Sequence, residues 1–120
     1  MSAEEYARFS EMKVIMHHIY EFKKGVRSLV LCTLCKSSAG TIIARLENQG
    51  IGYVIQNLGD RKVNLYFGKR ACLEAVSNFI HKPLNLLTPE EDFMLGAMLG
   101  YDIALQCERF CNRKSKALAS

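Results

Sequence analysis

Leu29-Val30-Leu31-Cys32-Thr33-Leu34 is the stretch on which the reading of this chain turns. Six consecutive residues without a charge suit a strand buried on both faces better than one that alternates between core and water. That strand, residues 28–34, hands over to a helix beginning near Ser38, where Ile42, Ile43 and Leu46 form an apolar stripe that Asn48-Gln49-Gly50 ends. Tyr53-Val54-Ile55-Gln56 and Val63-Asn64-Leu65-Tyr66-Phe67 predict two further strands, near 52–57 and 62–67. Gly59-Asp60-Arg61-Lys62 joins them with the chemistry of a hairpin turn.

Helical spacing governs the rest. Ser2 and Glu5 form a capping box, and Phe9, Met12, Ile15, Met16, Ile19 and Phe22 then recur with helical period until Gly25 offers a stop. This predicts a helix over 3–24, with a short strand over Lys13 to Ile19 as the competing reading. Lys69 to Ile80 is helical, burying Cys72, Leu73, Val76, Phe79 and Ile80. Beyond Pro83, Thr88 reads as an N-cap, Pro89 as the first helical residue and Glu91 as the third, with Glu90 and Asp92 favouring the positive end of the helix dipole. One last helix is expected to run from there to about Asn112, and residues 115–120 are expected to fray.

The expected fold class is therefore α+β, a three-stranded mixed sheet covered by four or five helices. Strand, helix, hairpin and helix in that order make half a ferredoxin-like plait, in which a right-handed crossover sets the first two strands parallel. So small a sheet leaves edges to cover, and dimerisation would cover them.

At 120 residues the chain is one domain, large enough to bury about two thirds of the surface its unfolded form exposes. Hydrophobic residues make up 49% and charged residues 23%, which excludes a disordered chain. No apolar run reaches the roughly 20 residues of a membrane span, and the acidic start Met1-Ser2-Ala3-Glu4-Glu5 does not resemble a signal peptide. Five cysteines at uneven spacing make a poor disulfide framework and point to a reducing, cytoplasmic address, most of them acting as small core hydrophobes. The net charge of +4 is carried by scattered groups: Lys23, Lys24 and Arg27; Arg61 and Lys62; Lys69 and Arg70; Arg109, Arg113, Lys114 and Lys116. They lack the density and interleaved aromatics of a nucleic-acid stripe.

Cys32-Thr33-Leu34-Cys35 is the candidate for chemistry, because a two-residue spacer across a loop lets two thiolates converge on one soft ion, Cu(I) or Zn(II). The order of elements is similar to that of the small metal-binding domains of copper chaperones and metal pumps. Those domains place a flexible Gly-Met-Thr before the first cysteine, whereas Cys32 is still inside the strand. A thioredoxin-type redox site is the weaker alternative, since Thr33-Leu34 replaces the usual spacer and neither proline sits where a cis-proline strand would face the thiols. His17 and His18 point about 100° apart on a helix and do not easily serve one ion. Cys107 and Cys111 continue an apolar stripe through Met94, Ala97, Tyr101 and Ala104 and read as core. Gly96-x-x-x-Gly100, with Ala97, is the candidate interface, because helix-interior glycine costs about 1 kcal/mol against alanine and close approach of another backbone would offset it. Internal packing and a twofold contact both satisfy that argument. No nucleophile elbow, phosphate loop or zinc-protease helix occurs, and the helix dipole accounts for Glu90, Glu91 and Asp92, so no catalytic residue is assigned.

Two stretches, His17-His18-Ile19-Tyr20-Glu21-Phe22-Lys23-Lys24-Gly25 and Thr88-Pro89-Glu90-Glu91-Asp92-Phe93, resemble an uncharacterised bacterial family catalogued as domain of unknown function two thousand and twenty-three. Leu99-Gly100-Tyr101-Asp102 and Gln106-Cys107-Glu108-Arg109 carry the likeness on, so that it spans residues 12–113 and leaves 1–11 as an extension. The resemblance implies three strands with about five helices, a homodimer, no activity and no ligand for Cys32 and Cys35. It also implies bacterial flavodoxins as companions, acidic proteins that a mildly basic partner complements. The expectation is a non-enzymatic cytoplasmic homodimer acting through protein contact, with a soft-metal carrier or a thiol redox protein as the alternatives.

Overall fold

A computed structural model describes residues 1–119. Ser120, the end of the segment expected to fray, lies outside the described residues. The elements are α1 (Ala3–Lys23), β1 (Leu29–Cys35), α2 (Lys36–Asn48), β2 (Gly52–Asn57), β3 (Lys62–Gly68), α3 (Arg70–Ser77), α4 (Pro89–Met98) and α5 (Ile103–Ala119), with one turn of 3-10 helix at Leu84–Leu86. The class is α+β, as expected.

Helix caps behave as their chemistry dictates. Ser2 Oγ accepts the Glu5 amide at 3.1 Å and starts α1, which is helical through Lys13–Ile19. Thr88 and Glu91 form the full reciprocal capping box at the head of α4.

The sheet corrects one expectation. Its order is β1-β3-β2 and both pairings are antiparallel, so it is not mixed. β1 and β2 do run the same way, but β3 lies between them. The crossover fixes direction without fixing neighbours, and the short hairpin at 58–61 lets β3 fold back into the slot between its predecessors. Moreover, α2 and α3 lie on opposite faces, for alternation along the strands presents two apolar surfaces. On one, Val30, Leu34, Val63, Leu65 and Phe67 pack against Ile15 and Ile19 of α1 and Ile42 and Leu46 of α2. On the other, Leu29 and Tyr66 pack against Leu73 and Val76 of α3 and Leu95 and Leu99 of α4. β1 is thus covered on both faces, as its composition requires.

A polar row crosses the second face. Thr33 Oγ1 donates to Asn64 Oδ1 at 2.7 Å, and Asn64 Nδ2 donates to Gln56 Oε1 at 2.9 Å. The same oxygen accepts the Tyr66 hydroxyl at 2.9 Å, while Gln56 Nε2 donates to the carbonyls of Ile80 and Lys82 at 2.9 and 3.0 Å. Buried amides are tolerable only when so satisfied. Gln56 thereby ties the segment after α3 to the sheet.

The last helix is two helices. Gly100 takes φ of +81°, a left-handed conformation costly for any side chain. Its amide donates to Ala97 O and that of Tyr101 to Gly96 O, both at 3.1 Å, which closes α4 as a Schellman cap. Asp102 Oδ1 then accepts the Leu105 amide at 3.0 Å and starts α5.

Replacing Gln56 with leucine keeps the volume and removes every bond of this hub. Stranding the Tyr66 hydroxyl, Asn64 Nδ2 and two carbonyls is expected to cost about 3 kcal/mol, read as a lower midpoint in urea at unchanged slope.

Candidate functional site

β1 runs one residue beyond its expected end, and that residue separates the thiols. Positions 32 and 35 of a continuous strand project to opposite faces. Cys32 packs beside the α1/α2 core, whereas Cys35 is the last strand residue and the N-cap of α2. Burial pushes the Cys32 thiol up to about 11, against a smaller opposing pull from Arg27, so it is protonated at neutral pH. A metal-binding or attacking sulfur needs the reverse. Among the described residues, no three His, Cys, Asp or Glu side chains are grouped so as to hold a metal ion.

Cys107 and Cys111 are not core residues. Both are exposed, as are Met94, Ala97, Tyr101 and Ala104, because the break at Gly100 re-aims α5 and ends the stripe they were expected to continue. None of the five cysteines is fully buried.

Of the glycine-marked set, only Gly96 makes a close approach. It is buried, and a Cβ there would lie 2.0 Å from Gln106 Oε1 of α5, so the missing side chain admits a neighbour in the same chain. Ala97 is exposed and Gly100 serves as the stop between helices.

Three acidic residues at the head of α4 are each engaged by a base. Asp92 accepts Arg109 Nε at 2.7 Å and lies 3.4 Å from Arg113, which also donates to Leu87 O at 2.8 Å. Glu90 pairs with Lys114, and Glu91 with Lys82. The Lys114 and Lys82 contacts, ahead of smaller contributions, hold the Glu90 and Glu91 carboxyls below their ordinary value, and Asp92 raises Arg109. With the Phe93 and Phe110 rings 5.9 Å apart, these contacts fasten α5 to α4.

The topology also gathers the scattered bases. The Lys69 amide donates to Ser28 O and Leu29 pairs with Gly68, which brings Lys69 and Arg70 to the end of the sheet that carries Arg27. The Lys36 amide donates to Arg61 O, placing Lys36 beside Arg61 and Lys62 at the opposite end. His17 and His18 converge after all, on one carboxylate: Glu21 Oε1 lies 3.7 Å from His17 Nε2 and 3.0 Å from His18 Nδ1, with Arg27 Nε at 3.5 Å. Spacings of four and three residues straddle the same turn. The His18 contact holds the Glu21 carboxyl below its ordinary value, while some burial opposes it and Arg27 adds to it.

One residue escaped the sequence reading altogether. Glu11 of α1 accepts the Cys35 amide at a long 3.4 Å through Oε1, and its Oε2 is buried with no hydrogen-bond partner among the described residues. Nothing in the order of residues joins positions 24 apart.

Because Glu90 and Glu91 are depressed in the folded chain, their pairing stabilises fully above the ordinary carboxyl value of 4.5 and is lost as pH falls through the lower folded values. With exchange normalised to the intrinsic rate at each pH, amide protection in α5, which the Glu90–Lys114 pair helps to fasten, is expected to fall on acidification below that point, while protection in β3 changes less.

No helix among the described residues is long and apolar enough to cross a membrane. No curated protein matches the chain. A family model described as protein of unknown function (DUF2023) matches residues 13–113, which takes in everything from the middle of α1 to the middle of α5, and the chain belongs to that family.

Proposed function

We propose that this protein is a non-enzymatic cytoplasmic homodimer that works through protein contact, accompanying an acidic electron-transfer protein such as a flavodoxin. The observation that carries the dimer is α5. None of its residues from 103 to 118 is fully buried, and Ile103, Leu105 and Leu118 are 57%, 60% and 88% exposed. In proteins a helix takes most of its stability from packing an apolar face against a neighbour. One protomer supplies α5 with α4 as its main support, so further cover comes from another chain.

The partner reading rests on charge. Lys23, Lys24 and Lys69 belong to one end of the sheet, beside Arg27 and Arg70, which pair with Glu21 and Glu74, and Lys36, Arg61 and Lys62 belong to the other, so the bases offered to an acidic protein are grouped at the two ends. Among the described residues, the thiols and carboxylates add no assembled catalytic constellation to set against it.

Sedimentation equilibrium at micromolar concentration is expected to give twice the mass of 13.6 kDa, and a monomer throughout that range removes the dimer. Titration of a flavodoxin into the labelled protein is expected to shift resonances near Lys23, Lys24 and Lys69, with affinity falling as salt rises. Reversing Lys23 and Lys24 to glutamate should weaken that binding and flatten its salt dependence; an unchanged affinity would remove this partner.

A further inference from the structure

Arg27, Arg70, Arg109 and Arg113 are each held by a carboxylate. Arg8 of α1 and Arg45 of α2 have no ion pair or side-chain hydrogen bond among the described residues, and both line one hollow of about 320 Å³ between those helices. The acids nearest to them in sequence are engaged elsewhere or stand apart. Glu11 accepts the Cys35 amide, Glu47 accepts the Tyr53 hydroxyl, and Glu4 and Glu5 at the head of α1 form no pair with Arg8. Two guanidiniums at one cleft, with no acid between them, concentrate positive potential there. α2 adds to that field. Its first turn has neither an acidic residue nor a side-chain cap, unlike the acid-headed α4, so the positive end of its dipole is not neutralised.

The α2 side of the hollow is polar. Ser38 lines it, is only 4% exposed, and carries an Oγ with no hydrogen-bond partner among the described residues. Buried hydroxyls are ordinarily satisfied within the fold. This one is carried on a single rotatable bond, so it can turn to an acceptor that enters the cleft. Thr41 and Arg45 follow Ser38 at spacings of three and four residues and share its face of the helix. Side chains on a helix lean toward its N-terminus, which brings the Arg45 guanidinium back over Thr41. On the α1 side, Phe9 and Met12 make an apolar wall. The Phe9 ring is 50% exposed, and the Lys13 ammonium stands 5.2 Å from its centre, a third positive charge at the rim.

We infer that this hollow binds the phosphate group of a small phosphomonoester, whose organic part lies against Phe9 and Met12. Charge selects the class. A phosphomonoester carries about −1.5 to −2 charge at pH 7 and three strong acceptor oxygens, and these match two guanidinium forks and two hydroxyls. A carboxylate or a sulfate ester brings a single charge and leaves one guanidinium unanswered. Size selects a small molecule, since the hollow stands at the lower end of the roughly 300–1,000 Å³ of ligand pockets. Arg8 and Phe9 precede residues 13–113, the part matched by the family model, whereas Ser38, Thr41 and Arg45 lie within it. The site therefore joins a segment outside the shared region to one inside it. It stands apart from the dimer and partner readings, because α5, Lys23, Lys24 and Lys69 take no part in it.

The test titrates phenyl phosphate, phenyl sulfate and inorganic phosphate into the isotope-labelled full-length protein at low ionic strength. Phenyl phosphate is expected to saturate a single site, with amide shifts centred on Arg8, Ser38, Thr41 and Arg45. Phenyl sulfate, alike in shape but lower in charge, and inorganic phosphate, which lacks the ring, are each expected to bind on the order of tenfold more weakly. Arg8→Gln and Arg45→Gln, both at exposed positions, are expected to weaken phenyl phosphate by on the order of tenfold with circular dichroism unchanged. Ser38→Ala is expected to weaken it too, while unfolding in urea no earlier than the wild type, because an unsatisfied hydroxyl is removed. Lys116→Gln, on α5 and away from the hollow, is expected to leave the affinity unchanged. Absence of saturable binding, an affinity that survives both arginine variants, or a Lys116→Gln variant that loses as much as they do overturns the site. Phenyl sulfate or inorganic phosphate binding as tightly as phenyl phosphate overturns the assignment to a phosphomonoester.

Discussion

β3 is hydrogen-bonded along its whole length on both sides, and the position of every helix follows from that strand. Its last residue shows how little freedom the arrangement has. Gly68 pairs with Leu29 on one flank and Gly52 on the other, and a Cβ there would lie 2.3 Å from the Ser28 carbonyl oxygen. With φ at +154°, no other residue fits without moving β1. The closeness of strands at this corner joins the start of β1, the start of β2 and the head of α3, so both cores are referred to one point.

From β3 the order spreads outward through polar contacts as well as apolar ones. Asn64 and Tyr66 meet at Gln56, Gln56 holds the carbonyls of Ile80 and Lys82, and the Lys82 side chain reaches Glu91 in the capping box of α4. Asp92, one residue on, takes Arg109 and Arg113 of α5. A path of hydrogen bonds and ion pairs, joined through the backbone from Glu91 to Asp92, therefore leads from the buried middle of the sheet to the partly exposed contacts of the C-terminal helix. The outermost contacts, exposed ion pairs, are individually weak.

Much of this was legible in the residues themselves. Leu29 to Leu34 declared a strand covered on both faces, and Thr88-Pro89-Glu90-Glu91 declared a helix start, because both signals are local and physical. Gly100 and Asp102 were legible too, a stop and a start two residues apart, yet the reading of Gly96 and Gly100 as a packing pair concealed them and carried the helix through. The neighbour relation of the strands was not legible, since a crossover sets direction and leaves adjacency to the packing of the finished sheet. The cysteine reading turned on a single residue. With the strand ending at Leu34 the spacer looked like a loop; with it ending at Cys35 the pleat divides the thiols. Glu11 could not be found from sequence, because its meaning comes from the return of β1 beneath α1.

The break at Gly100 has a consequence for how the molecule comes apart. The α4–α5 hairpin turns on residues 99–102, which lie between the two helices, and its return arm rests on the Phe93–Phe110 contact, the notch at Gly96 and a set of charges near water. Such an arm has its own equilibrium between docked and released forms, at a free energy below that of global unfolding. Ionic strength sets that equilibrium, and a protease that recognises basic residues would sample the released form at Arg109, Arg113 and Lys114 while the sheet remained closed.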